Sequence, residues 1–318
     1  MMILVTGGGG LLGSRVVRKL LAIGKTVVSL DTASNQRRLA DLENCNNLKI
    51  IQCDIRDSER LAELFKSLPI ECVIHLAAVL APISENKPAF SFSVNIQGSA
   101  NVFEAASEAD VKRVIYASSI AVFDDQIEYG SNNTVDEFSL RKPYSLYGYA
   151  KLINEETANS YTKNTSLETC GLRIPAIFGH GRTTGRSSAI SRIISEAAVG
   201  RRAVSDVASD QAAPIIYVDD AADCFVKVCL AEKIEHPIFC LPSYLITVEE
   251  AVDAIQSEIP GAEITFSQDA AHYKSVLNID SHRFESTYDY KLPDFKKCVL
   301  NQINEARLDK EFNQLLRR

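Results

Sequence analysis

The chain has 318 residues, 46% of them hydrophobic and 24% charged, with a formal net charge of −7. That length buries a sizeable core as one large or two modest domains, and the acidic balance argues against nucleic acid or an anionic membrane as the main partner. No apolar run reaches the roughly 18–20 residues of a membrane span, and the opening MMILVTGGGG lacks the basic segment of a signal peptide, so a cytoplasmic location is expected.

In chain order, MILVTG reads as a strand and LLGSRVVRKLLAIG as a helix; TVVSLD, LKIIQCD, ECVIHLAA, VKRVIYASS and SLETCGLRIP read as further strands. Amphipathic stretches lie between them, among them 57–67, 88–107 and 146–162. The strand segments show little polar alternation, as strands buried on both faces do. Strand and helix in repetition predict an α/β fold, a Rossmann-like doubly wound parallel sheet with right-handed crossovers. After residue 175 the rhythm changes. FGHGRTTGRSSA is a glycine-rich loop carrying Arg182 and Arg186, and it enters a helix near 188–199. PIIYVDDAADCFVKVCLAEKIEHPIFCL reads as a strand–helix–strand passage rejoining the sheet, and helical patterns near 247–257 and 294–317 would form a smaller cap. The expected organisation is a nucleotide-binding domain of 1–175 plus about 214–241, interleaved with a smaller α/β substrate-binding domain of about 176–213 plus 242–318.

The eight cysteines are scattered, without a Cys-x-x-Cys, and most sit in apolar runs as buried reduced thiols do. None of the five histidines has a neighbour at metal-ligand spacing, so no metal is expected.

VTGGGGLLGS carries more. Gly7, Gly10 and Gly13 stand three apart, between a strand and a helix, in the turn Gly7, Gly10, Leu11, Leu12, Gly13. Glycines there let a pyrophosphate approach the backbone, and the helix N-terminus offers it free N–H groups. A phosphate-loop NTPase would need Gly-Lys-Ser/Thr, and no lysine follows. Asp31 closes the second strand, 18 residues beyond Gly13. A carboxylate there accepts from both ribose hydroxyls and repels a 2′-phosphate, which favours NAD over NADP. Arg37 and Arg38 follow, either solvated or softening that preference.

In YSLYGYAK, Tyr147 and Lys151 are four apart and share one helix face. A phenol titrates near ~10 and becomes a useful base only when a neighbouring cation lowers that value. The spacing alone decides little.

Together these segments resemble an extended short-chain dehydrogenase/reductase of the NAD-dependent epimerase/dehydratase family. The resemblance rests on TGGGGLLG at 6–13, DIRD at 54–57, HLAA at 75–78, VNIQG at 94–98, SSIAVF at 118–123, YGYAK at 147–151, LRIPAIFG at 172–179 and YVDDAAD at 217–223. It implies that Asp54 and Ile55 flank the adenine and that Ala77 and Ala78 line the dinucleotide cleft. Asn95 would support the active-site helix, and Pro175 to Ile177 would lie by the nicotinamide carboxamide. Ser119, Tyr147 and Lys151 would form the catalytic set. Lys151 and the oxidised ring would depress the Tyr147 pKa, Tyr147 would take a hydroxyl proton, and Ser119 would position that oxygen. Tyr144 and Tyr149 are left as packing or substrate-facing residues. The family also implies a homodimer pairing helices 88–107 and 146–162 across a two-fold axis.

The departures bear on substrate. Sugar-nucleotide epimerases usually have Asn where Ala176 stands and Arg-Asp where Ala213 and Pro214 stand; dehydratases have Asp-Glu where Ile120 and Ala121 stand. SSIAVF and PIIYVDDA are more similar to the L-threonine 3-dehydrogenase branch and to sugar-acid dehydrogenases. Arg182 and Arg186 would then grip a substrate carboxylate, with solvated loop arginines as the alternative; His180 reads as a cap or packing residue. The leading expectation is a dehydrogenase or reductase acting on a small hydroxylated or keto substrate. An NDP-sugar epimerase using transient oxidation by bound NAD is the alternative, and a non-catalytic NAD-binding regulatory protein the third.

Overall fold

The computed structural model describes residues 1–33, 36–42, 44–185 and 188–315. The chain runs through β1 (Met2–Thr6), α1 (Leu11–Ala22), β2 (Thr26–Asp31), a 3₁₀ turn (Arg37–Leu42), β3 (Leu48–Gln52), α2 (Ser58–Ser67) and β4 (Ile70–His75). There follow α3 (Ile83–Asn86), α4 (Pro88–Phe92), a π-helical turn (Ser93–Gly98), α5 (Ser99–Glu108), β5 (Arg113–Ser119), α6 (Gln126–Tyr129), α7 (Leu146–Asn164) and β6 (Glu168–Ile174). The later elements are β7 (Ala176–Phe178), α8 (Ser188–Ala198), β8 (Ala203–Val207), β9 (Ala212–Tyr217), α9 (Val218–Leu230) and β10 (Ile238–Cys240). The chain ends with β11 (Tyr244–Thr247), α10 (Val248–Glu258), β12 (Ile264–Ala271), α11 (His282–Tyr288) and α12 (Phe295–Leu315).

The main sheet has seven strands in the order β10-β6-β5-β4-β1-β2-β3, all parallel, the doubly wound arrangement expected. Central strands are buried on both faces, which is why they lack polar alternation; β3, at the edge, has no fully buried residue. One layer of core joins Val16 and Leu20 of α1 to Phe225 and Val228 of α9 beneath Val5 and Ile74. On the opposite face Leu61, Phe65, Val102 and Phe103 pack beneath Leu4 and Val73.

One expectation changes. Of the passage around 214–240, β10 joins the main sheet, whereas β9 lies in a three-stranded sheet of order β11-β9-β7. β10 takes the free edge of β6. Pro175, which lacks an N–H, separates β6 from β7 where the chain leaves the main sheet. Beyond it Phe178, Ile193, Tyr217, Ile255 and Ile303 form a second core under the small sheet. Among the described residues no helix is long and apolar enough to cross a membrane.

Candidate active site

A cavity of about 550 Å³ is lined by residues at the C-terminal ends of the main-sheet strands and by the segments that cross above them. Gly7, Gly10, Leu11, Leu12 and Gly13 form its wall at the first turn. α1 starts at Gly10 without a side-chain cap, so its first N–H groups are left for whatever enters there. Those groups, with the partial positive charge of the helix terminus, fit a dinucleotide pyrophosphate. Ala78, Pro175 and Ile177 line the same cavity, as do Ser119, Tyr147 and Lys151.

Local sequence explains how α7 presents Tyr147. Ser145 caps the helix, its hydroxyl accepting from Gly148 N–H at 3.1 Å. Glu85, also on the cavity wall, accepts from Leu146 N–H at 3.3 Å and from Tyr147 N–H at 3.2 Å. Gly148 lies against the turn after β5, and a Cβ there would overlap the Ala121 carbonyl oxygen. That contact sets the helix close enough for Ser119, at the end of β5, and Tyr147 to share one cavity wall.

Burial pushes the Tyr147 phenol up to about 12, against the Ser119 hydrogen bond and the Arg182 guanidinium, which both pull it down. Lys151 is 4% exposed, and burial lowers its ammonium to about 8. Its Nζ donates to the Ala117 carbonyl at 2.7 Å and lies 5.5 Å from the centre of the Tyr147 ring. Lys151 sits by the ring and a carbonyl, and the cation that lowers the phenol is Arg182.

A buried polar chain beneath these groups escaped the sequence reading. Thr6 Oγ1 meets His75 Nδ1 at 2.7 Å, and His75 Nε2 meets Ser99 Oγ at 3.0 Å. Burial, with the Lys151 charge next, lowers His75 to about 3, so it is neutral. Asn154, three residues past Lys151, donates to Asn95 O at 2.9 Å and to Ser99 Oγ at 3.1 Å. Asn95 sits in the π-helical turn, whose i→i+5 bonding displaces its carbonyl from the regular α ladder. Its side chain clasps Val79, accepting from the N–H at 2.7 Å and donating to the carbonyl at 2.8 Å. Asn95 thus ties α7 to the segment after β4. HLAA and VNIQG marked the place but not the partners.

The remaining predicted positions divide. Asp31 closes β2 and accepts from Gly9 N–H at 3.1 Å. Ala77 N–H donates to Thr6 Oγ1 at 3.3 Å, behind the first turn. Asp54 is engaged by Arg56, with Nη2 to Oδ2 at 2.6 Å, and Ile55 is buried against Gly98. Tyr144 lines the cavity, and its hydroxyl donates to Lys274 O at 2.8 Å. Tyr149 is neither packed nor substrate-facing: it is 51% exposed, because two residues along a helix turn the side chain away from Tyr147. Arg182 lines the cavity and faces Tyr147 and Tyr273, whereas Arg186 lies outside the described residues. His180 packs in the cap, its Nδ1 3.2 Å from Ser195 Oγ.

The chain matches the model of the NAD dependent epimerase/dehydratase family over residues 3–239. It belongs to that family. A putative UDP-glucose 4-epimerase of Methanocaldococcus jannaschii is 30% identical over 226 residues, covering 70% of this chain and 71% of that protein. UDP-glucose 4-epimerase of Mycolicibacterium smegmatis is 29% identical over 229 residues, 70% of this chain and 72% of that one. Among solved structures, UDP-glucose 4-epimerase of Thermus thermophilus in complex with NAD has a TM-score of 0.83 at 22% identity, covering 96% of this chain and 99% of that chain. L-Threonine 3-dehydrogenase from Trypanosoma brucei has a TM-score of 0.85 at 17% identity, covering 96% and 97%. At these identities the structures establish a common fold.

Proposed function

We propose that this chain is an NAD-dependent oxidoreductase that oxidises a secondary alcohol, or reduces the matching ketone, of a small hydroxylated substrate carrying a carboxylate. The observation that carries the reading is that Ser119, Tyr147, Lys151 and Arg182 wall one cavity, with Ser119 and Arg182 both pulling the phenol down. Ile120, Ala121, Ala176 and Ala213 wall the same cavity at the positions where nucleotide-sugar enzymes carry acids, an amide and an arginine. Gly7, Gly10, Leu11, Leu12 and Gly13 would hold the dinucleotide pyrophosphate, and Asp31 the adenosine ribose. When bound, the nicotinamide supplies the hydride acceptor or donor. Ser119 donates a hydrogen bond to the substrate oxygen, and Tyr147 takes or returns the hydroxyl proton. Lys151 holds the ribose side of the cleft. Arg182 takes the carboxylate, and the bound anion orients the carbinol towards Tyr147.

The sequence relatives named as UDP-glucose 4-epimerases favour a second reading, NDP-sugar epimerisation. A screen by absorbance of reduced cofactor separates the two. Small hydroxy acids and amino-hydroxy acids are expected to yield NADH in proportion to substrate, and a parallel panel of sugar nucleotides is expected to be inert. Interconversion of a sugar nucleotide without net NADH would replace the first reading by the second. Tyr147→Phe should lose nearly all turnover and keep NADH binding; full activity in that variant removes the role assigned to the phenol.

We also propose the interleaved two-domain division and a homodimer formed through α7 and the α4–α5 face. Tyr149 and Ile153 of α7 are 51% and 39% exposed, and Phe92 of α4 is 56% exposed. Light scattering giving a monomer mass would refute the dimer.

A further inference from the structure

Among the described residues four cations line the cavity: Arg38, Lys151, Arg182 and Lys274. Lys151 is bound to Ala117 O, Arg182 faces Tyr147 and Tyr273, and Lys274 lies over the Tyr144 ring. Arg38 is different. It leaves the 3₁₀ turn after β2, and its Nη2 donates to the Gly181 carbonyl at 3.1 Å, on the loop between β7 and α8. Gly181 has φ +83°, and a Cβ there would lie 3.3 Å from Arg38 Nη2 and 4.0 Å from Leu11 Cδ1. The guanidinium, Gly181 and the Leu11 side chain therefore meet at the uncapped start of α1. Among the described residues no carboxylate pairs with Arg38. Its backbone is fixed from below: Arg18 of α1 donates to Arg38 O at 2.6 Å, and neighbouring Leu39 is fully buried.

We propose that Arg38 is a cofactor-retaining latch, an arginine that closes the 179–185 loop over the first turn and presents its charge to the dinucleotide pyrophosphate. The inference rests on the reading of the first turn as a dinucleotide site. Three physical points support it. A pyrophosphate at the α1 terminus carries negative charge that the helix dipole compensates only in part. An arginine holds its N–H donors in a fixed planar fork that can serve a carbonyl and a phosphate oxygen together, where a lysine offers a compact point charge with no set geometry. Finally, the hydrogen bond to Gly181 couples cofactor departure to movement of the loop that bears Arg182. The sequence leaves Arg37 and Arg38 either solvated or softening the preference for NAD; in the structure the Arg38 guanidinium reaches the Gly181 loop.

The test uses full-length protein, Arg38→Ala and Arg38→Lys, with NADH fluorescence in stopped flow and equilibrium titration. Arg38→Ala should speed NADH dissociation and raise its Kd about ten- to hundred-fold, the loss expected for a charge-assisted contact. Arg38→Lys should recover only part of this. Binding of adenosine, which lacks phosphate, should be unchanged, and NADPH should weaken as much as NADH. An NADH dissociation rate in Arg38→Ala equal to that of the parent protein overturns the latch. So does equal weakening of adenosine, which marks a structural effect, or weakening of NADPH alone, which marks 2′-phosphate recognition. A parent protein that does not bind NADH overturns the dinucleotide reading itself, and the latch with it.

Discussion

Ser119→Ala removes a single hydroxyl, yet the consequence should be visible as a shift in pH rather than only as lost rate. That hydroxyl accepts from Ala121 N–H at 3.1 Å and, by hydrogen bonding, pulls the Tyr147 phenol down. The phenol stands at about 12 because burial outweighs Ser119 and Arg182 together. A hydrogen bond to an ionised group contributes roughly 1.5–3 kcal/mol, or about 1–2 pK units. Without it the phenolate becomes harder to form, so the phenol rises further. At a fixed pH below that value, the phenolate fraction and the rate of alcohol oxidation fall about ten- to hundred-fold. The assay is kcat/KM for oxidation from about pH 6.5 to about pH 10.5 in both proteins. With saturating NAD the positive charge of the oxidised ring adds to that of Arg182 and brings the ascending limb down into this range; Ser119→Ala should move it to higher pH by about 1–2 units, with the gap between the proteins narrowing at the alkaline end. A limb at the same pH, however large the loss of rate, would mean that Ser119 positions substrate without acting on Tyr147.

If Asp31 sets a preference for NAD as proposed, Asp31→Ala should relax it, since the carboxylate that would repel a 2′-phosphate is gone; an unchanged ratio of kcat/KM for the two cofactors contradicts that role. Gly148→Ala should drive α7 away from the Ala121 carbonyl, costing about 1–3 kcal/mol of stability and separating Ser119 from Tyr147. A variant equal to the parent in both melting temperature and turnover would refute the close-packing argument. Asp220→Asn should stabilise the protein at neutral pH. Burial, ahead of the repulsion from Asp223, raises Asp220 to about 6, so the fold disfavours its ionised form. That cost is absent when the carboxyl is protonated near pH 4, grows as pH rises, and is complete above about pH 6; after solvent screening it is on the order of 1 kcal/mol. The gain in melting temperature should follow the same pH dependence, and a gain as large at pH 4 as at pH 8 would exclude this cause.

What was legible in the sequence follows from what is buried. Val5, Val28, Val73, Ile115 and Leu172 lie in strands covered on both faces, so unbroken apolar runs located the main sheet. Gly7, Gly10 and Gly13 marked the first turn because that backbone must make way for a ligand. β9 was misplaced because an apolar strand carries no label for the sheet it joins; the occupied edge of β6 decided that. Tyr147, Ser119 and Lys151 came into register from separate motifs, but the electrostatics did not follow from spacing. The cation that lowers the phenol comes from a loop some thirty-five residues away in sequence. Arg38 and Glu85 were equally hidden, since a single exposed arginine or a glutamate in a four-residue helix looks like any other surface charge until its acceptor or donor is known.

The two halves of the site differ in how firmly they are held, and that difference bears on substrate choice. Tyr147 and Lys151 ride on a helix fixed along its length. Ser145 and Glu85 bind its first turn, and Asn154 locks its middle to the π-helical turn. Glu155 then ties it to the sheet, accepting from Ser118 at 2.5 Å and from Arg173 at 2.9 Å. Burial opposes ionisation of Glu155, but Arg173, Ser118 and Arg141 overcome it and hold the carboxyl below its ordinary range. Breaking that buried pair by removing one partner would strand the other's charge, so the placement of Tyr147 and Lys151 is insulated from surface change. Arg182, Tyr273 and Lys274 instead stand on segments outside the main sheet and reach the cavity from the cap. A lining built from loops can change its charge without disturbing the helix. Replacing Arg182 should therefore alter which substrates bind more than it alters the positions of Tyr147 and Lys151.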